Sequence, residues 1–539
     1  MSGSITLENR FGVNKMELIS LKYAIFVIVL LVLYYCFPKK YRWYGLLAGS
    51  MAYYVIICKW YVLFIIFTIC TTYGSTIWID KLLKEQNAIV KSHKEDWDRQ
   101  TRKEYKEKGR KKRVAVMLFA LLCNFGILAF LKYIPYAGEL GLLLPLGISF
   151  YTFQSMGYVM DVYREIVEPE KNFLKVALFV SFFPQIIQGP IAIYDKLAGQ
   201  LYEGHSLRLE NLQKGALLVL WGVMKKLVIA DRAVNIINFV MDKPMDFSGT
   251  YVFFAAVVYA LQLYADFSGG IDIVRGIAEM FGITMSTNFN HPYFSRSLTE
   301  YWHRWHMTLG DWCRNYIFYP LSISKRFLNF GKWLKPRFGA HISKVLPGCI
   351  ASVITFIVIG VWHGANMKYL YFGLWNGIVI MLAELFAPVN KKVAGGFFKL
   401  TGLREKGIFA TIVSVLWTFM LTLVGYYFDI AANASTAFHM LFKSVTDFHI
   451  SELGINNIIL NLGACGLDEY DILLLIICTL LWFFISFVEE NKKLDMRDFI
   501  LSRKLPLRWA IIYLGIFIVI IFGYYGPGVN PADFVYMQF

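Results

Sequence analysis

The chain has 539 residues, 57% hydrophobic and 17% aromatic, with 17% charged residues and a mean hydropathy of +0.49. That balance excludes an ordinary soluble globular domain, which carries more charge on its surface, and points to a membrane. The net charge of +16 does not indicate nucleic acid, because the basic residues gather in short segments between apolar runs, the pattern that marks the cytoplasmic side of a membrane protein.

The first apolar run, Tyr23–Phe37 extended by Leu18–Leu21, is followed by Pro38, Lys39 and Lys40 and has no small-residue cleavage site, so it is expected to stay as a span. Its N-terminus is expected outside and Pro38–Arg42 inside. Trp43–Cys58 and Trp60–Ile79 read as a hairpin returning to Lys81–Arg113, which carries thirteen Lys/Arg. Val114–Leu131 crosses outward again. Between Gly141 and Phe294 the pattern changes. Leu144–Glu165 and Phe179–Tyr194 mix apolar residues with Gly, Pro and Gln, as broken or re-entrant helices around a cavity do. Val345–Trp362 leaves the basic segment Lys325–Lys344, and Tyr369–Phe386 returns to another at Lys391–Lys406. The turn between them, Trp362–Lys368, is therefore expected deep in the membrane or near its outer end. Ile408–Phe428, Ile472–Val488 and Trp509–Tyr525 complete the long runs. Ala431–Tyr470, with the single lysine Lys443, is expected outside. Lipid offers backbone amides no partner, so helices are the default spanning element. The expected fold class is all-α and polytopic, with roughly 11–14 transmembrane or re-entrant helices. The eight cysteines are scattered, with no C-x-x-C, and read as apolar filler rather than a disulfide or zinc framework.

Ionisable side chains at membrane depth are costly and are functional candidates by default. Four clusters qualify. Val223–Phe239 holds Lys225, Lys226, Asp231 and Arg232; it reads first as interfacial lysines beside a local Asp–Arg pair. Leu263–Gly282 holds Asp266, then Asp272, Arg275 and Glu279 on one helix face; a salt-bridged structural face is at least as good a reading as a functional one. Tyr301–Tyr316, "YWHRWHMTLGDWCRNY", holds His303 and His306, three apart and able to share a helix face, with Trp302, Trp305 and Trp312 and the anion-binding candidates Arg304 and Arg314. Two histidines without a third ligand do not make a zinc site. Gly360–Gly377 holds His363, flanked by Trp362 and Gly364 with Asn366 close by; a lone buried histidine is more often structural, but a neutral imidazole also suits a general base.

The residues of "LYADFSGGIDIVRGIAEMFGITMSTNFNHPYFSRSLTEYWHRWHMTLGDWCRNYIFYPL" and "VWHGANMKYLYFGLWNG" closely resemble the membrane-bound O-acyltransferase (MBOAT) family, as do "FFPQIIQGPI" and "KKLVIADR"; the terminal "DFVYMQF" is similar to the alginate O-acetyltransferase branch. The resemblance implies a ring of helices around a central tunnel. It divides the chain into N-terminal helices 1–135 with a basic cytoplasmic loop 81–113, a catalytic core 136–390 and C-terminal helices 391–539. It implies transfer of an acetyl group from cytosolic acetyl-CoA, a donor substrate rather than a cofactor, to a hydroxyl acceptor. It matches the family's catalytic histidine to His363 and its second histidine to His306. Trp362, Trp305, Arg304, Arg314, Asp266, His303 and Asn366 are expected to contact substrate, and no metal is expected. The implied partners are the lipid membrane, an extracytoplasmic transferase of the SGNH type and a surface polysaccharide, with the chain multi-pass in a bacterial cell membrane. Two alternatives stand beside this: D-alanyl transfer from a carrier-protein thioester to teichoic acid, and a polysaccharide channel or scaffold without chemistry.

Overall fold

The computed structural model describes residues 18–526 and 534, apart from 135–137, 139, 143, 403, 405–406, 455–456 and 458–462. The tail before residue 18 and, apart from Phe534, the Asp533–Phe539 motif lie outside the described residues. Among the described residues every regular element is a helix. Among the described residues, seven helices are long and apolar enough to cross a membrane, or eight if the bent pair Met367–Leu385 and Ala387–Thr401 is one span. The remaining helices are shorter, among them the apolar Leu21–Cys36 and Phe173–Gln188. The chain is a multi-pass membrane protein.

Two compact units divide the chain: Met1–Val219 with Ile271–Ser286, and Leu220–Gly270 with Thr287–Phe539. In the first, Ser20 caps Leu21–Cys36 by accepting from the Tyr23 amide at 3.1 Å. Arg42–Cys58 and Val62–Ser92 are separated at Lys59, whose φ of 51° breaks the helix where a hairpin was expected. The basic stretch is not a loop. Val62–Ser92 and Arg99–Tyr133 carry it as helix on either side of residues 93–98, helped by i,i+4 and i,i+3 pairs such as Lys84–Asp80 and Arg110–Glu107.

Of the two mixed segments, Phe179–Tyr194 is broken between helices as its Gly and Pro content suggested, whereas Leu144–Glu165 holds one continuous helix. Ile148–Tyr163 starts after Gly147, whose φ is 69° and whose missing Cβ would sit 2.2 Å from the Ile186 carbonyl oxygen. Phe173–Ser181 and Phe183–Gln188 are separate helices joined at Phe182. Side-chain amides link these helices: Gln154 donates to the Phe179 carbonyl at 2.6 Å and accepts from Gln185.

In the second unit, Lys325–His363 kinks at Gly339 (φ 81°) and then packs tightly against Met367–Leu385. Cβ atoms added at Gly360 and Gly373 would each lie 2.3 Å from a carbonyl oxygen of the facing helix, that of Tyr369 and that of Phe356. Small residues are how membrane helices approach this closely. Burial grades the spans. The apolar window of Gly249–Met280 is 72% buried, and none of that of Leu505–Phe522 is buried.

Candidate active site

His306 lies between two short helices, Leu298–Arg304 and Met307–Cys313. Ser297 caps the first, accepting from the Glu300 amide at 3.1 Å. The backbone then reverses: His306 has φ 45° and ψ 51°, the left-handed region that a non-glycine residue seldom occupies outside special sites. Two main-chain bonds hold the reversal against 288–290, Asn290 N to Arg304 O at 3.0 Å and Met307 N to Asn288 O at 2.9 Å. The imidazole is buried, edge-on to Phe267 at 4.9 Å, with Nδ1 3.1 Å from Asn288 Oδ1.

This reversal corrects the shared-face expectation for the two histidines. A continuous helix would place His303 and His306 together. The left-handed turn instead buries His306 and leaves His303 exposed.

His363 is the last residue of Lys325–His363 and is buried. Its ring stacks on Tyr369 (5.9 Å, 19°) and meets Phe372 edge-on at 5.4 Å. Trp362 stands between the two histidines, 5.0 Å from the His363 ring and 6.3 Å from that of His306. Gly364 leaves room for this arrangement, since a Cβ there would lie 2.6 Å from the Tyr369 ring.

His306 and His363 line one cavity, together with Trp305, Tyr301, Trp302, Tyr426, Asn376 and Asp429. The last five were not singled out as substrate contacts. Tyr301 and Trp302 lay in plain view in the Tyr301–Tyr316 stretch. The signal for Asn376, Tyr426 and Asp429 was a polar side chain within or at the end of an apolar span. They are tied together: Trp302 Nε1 donates to Asn376 Oδ1 at 3.0 Å, and Tyr259 donates to Asp429 at 2.7 Å. Tyr426 bonds the hydroxyls of Tyr301 at 2.7 Å and Tyr293 at 3.1 Å. Lys368, after the turn, donates to the carbonyls of Asp429 and Ala431 at 2.7 and 2.8 Å, fixing the turn to the end of Ile408–Ile430.

Five other expected residues do not line this cavity; the first, Trp362, packs against the rings of both histidines. Asn366 is exposed and caps Met367–Leu385, accepting from the Lys368 amide at 3.1 Å. Arg304 pairs with Glu300 at 2.7 Å and Glu490 at 3.0 Å. Arg314 pairs with Asp311 at 2.5 Å. Asp266 is fully buried in a separate ion cluster, 2.7 Å from Lys226, which also lies 2.7 Å from Asp231. That cluster overturns the interfacial reading of the two lysines. Both are 3% exposed, on the π-helical segment Lys225–Ala230. Lys225 donates to Ser268 at 2.8 Å, and Arg232 pairs with Asp471 at 2.8 Å rather than with Asp231. The expected Asp272–Arg275 pair is present at 3.5 Å. Among the described residues no three His, Cys, Asp or Glu side chains group as metal ligands.

Residues 169–335 match MBOAT, the membrane-bound O-acyltransferase family. His306 lies inside that stretch and His363 beyond its end. The chain is 30% identical over 315 residues to the probable alginate O-acetylase AlgI of Pseudomonas syringae pv. tomato, covering 58% of this chain and 54% of that protein. It is 30% identical over 314 residues to the peptidoglycan O-acetyltransferase of Helicobacter pylori, covering 51% and 56%. It is 26% identical over 288 residues to the teichoic acid D-alanyltransferase of Bacillus subtilis, covering 52% and 67%. The chain thus spans a little over half the length of the first two relatives. The histidine-lined cavity sits in a multi-pass membrane protein whose residues 169–335 match the membrane-bound O-acyltransferase family.

Proposed function

We propose that the chain is an O-acyltransferase that moves an acetyl group from acetyl-CoA to a hydroxyl acceptor, on a partner transferase or a surface polysaccharide, with His363 as general base. The observation that carries this reading is the meeting of His306 and His363 in one aromatic-walled cavity of a chain with the MBOAT sequence. The acceptor hydroxyl gives its proton to His363 while its oxygen attacks the thioester carbonyl. The tetrahedral intermediate collapses, the thiolate leaves, and His363 returns the proton to it. Proton transfer of this kind is worth about 10²–10⁴-fold in rate. The side chain of His363 is held for the task by Tyr369, Phe372 and Trp362. The aromatic walls exclude water that would otherwise hydrolyse the thioester.

The similarity to a teichoic acid D-alanyltransferase keeps a D-alanyl thioester as the second donor. Deleting the gene and restoring it, then measuring ester-linked acetate and ester-linked D-alanine on the surface polymers, decides between them. Loss and recovery of acetate alone supports the acetyl donor. Loss of D-alanine alone moves the reading to the carrier-protein thioester, and loss of neither removes acyl transfer.

A further inference from the structure

Behind His306 lies Asn288, 1% exposed. Its Oδ1 is 3.1 Å from His306 Nδ1, 3.2 Å from the Thr308 backbone nitrogen and 2.9 Å from Thr308 Oγ1. A backbone N–H can only donate, so the amide atom facing it is the oxygen, and this settles which way the amide points. An amide oxygen can only accept, so the His306 nitrogen facing it carries the proton. In the neutral imidazole the lone pair is then on Nε2. The same residue also holds the backbone of the turn, because Asn288 O accepts from the Met307 amide. Asn288 therefore grips 306–308 through both main chain and side chain, at the point where His306 adopts its left-handed conformation.

We propose that Asn288 is a positioning residue that holds His306 in the Nδ1–H tautomer, so that His306 meets the substrates through Nε2 as a hydrogen-bond acceptor. This rests on the acyl-transfer reading above and sharpens it. A thioester carbonyl, or the oxyanion that forms from it, needs a donor. Neutral His306 has one N–H, and it is committed to Asn288. The acceptor hydroxyl has one proton, which goes to His363, so Nε2 of His306 accepts from another N–H or O–H of the substrates, and the acyl carbonyl is polarised by another group.

The test is nitrogen NMR of ¹⁵N-histidine-labelled full-length protein in liposomes at neutral pH, with the His306 signals identified by their loss in His306→Gln. The expected result is a protonated Nδ1 and an unprotonated Nε2. A protonated Nε2, in either the other tautomer or an imidazolium, overturns the proposal. In parallel, ester transfer is measured in cells at matched membrane levels. Asn288→Asp, which keeps an acceptor, is expected to retain most transfer, and Asn288→Leu to lose about 10²-fold, the lower end of a general acid–base contribution. Equal loss in both variants would overturn the positioning role. The wild-type spectrum decides the tautomer even where Asn288→Leu does not fold. A wild type that transfers no ester refutes the acyl-transfer reading while leaving the tautomer result standing.

Discussion

Replacing Lys226 with methionine should unsettle the second unit more than any change at its surface. The ammonium lies 2.7 Å from Asp231 and 2.7 Å from Asp266, with side-chain exposures of 3%, 0% and 0%. At an effective dielectric of about 20, unit charges 2.7 Å apart attract by about 6 kcal/mol. Most of that gain offsets the cost of taking the three charges out of water. Lys226→Met keeps the length of the stem but deletes the charge, leaving two buried carboxylates without it. Removing one partner from a buried ion pair costs about 3–5 kcal/mol. The triple variant Lys226→Met/Asp231→Asn/Asp266→Asn removes all three charges and should recover more than half of the loss, because the carboxylates no longer need a counter-ion. The assay is the thermal midpoint of the purified protein in one detergent, followed by size-exclusion chromatography of heated samples. The expected order is wild type above triple above single. A single variant as stable as wild type, or a triple variant no better than the single, would refute the reasoning.

The close crossing of Lys325–His363 and Met367–Leu385 predicts that Gly373→Ala, whose Cβ would meet the Phe356 carbonyl oxygen at 2.3 Å, costs about 1–3 kcal/mol; the same thermal assay reads it. Tyr369→Ala should reduce ester transfer by about tenfold or more by freeing the His363 ring, while Tyr369→Phe keeps the stacked ring and most of the activity, measured as polymer-bound ester at matched expression. Lys368→Met removes the donor to the carbonyls of Asp429 and Ala431, and a cost of about 1–3 kcal/mol should appear as a lowered midpoint. His303→Ala, at an exposed position away from the cavity, should leave ester levels unchanged; a tenfold fall would contradict the separation of the two histidines.

The helical, membrane-spanning character was legible because apolar run length is a one-dimensional property and is written directly in the composition. So was the hairpin that ends at His363, since two apolar runs between basic segments leave one short turn. The helix break at Phe182 was announced by Pro and Gln inside an apolar run. What stayed hidden depends on backbone direction. The reversal at His306 comes from main-chain bonds to 288–290, contacts made across sequence, and no helical spacing foretells it. Lys225 and Lys226 were read as interfacial because long cationic side chains snorkel; both are instead buried, on the π-helical turn Lys225–Ala230. Arg304, Arg314 and Asn366 were chosen for what their side chains can bind. Each is instead engaged locally, with Glu300 and Glu490, with Asp311, and with the start of a helix. Asn288, which turns out to hold His306, lay in the quoted motif but carried no charge to draw notice.

The measurement that bears most directly on the central claim is ester-linked acetate on purified surface polymer from cells expressing wild type, His363→Ala or His306→Ala at equal membrane levels. Acetate at background in His363→Ala, strongly reduced in His306→Ala and intact in wild type is the predicted result. Acetate at the wild-type level in His363→Ala would contradict the claim that this histidine is the base of an acyl transfer.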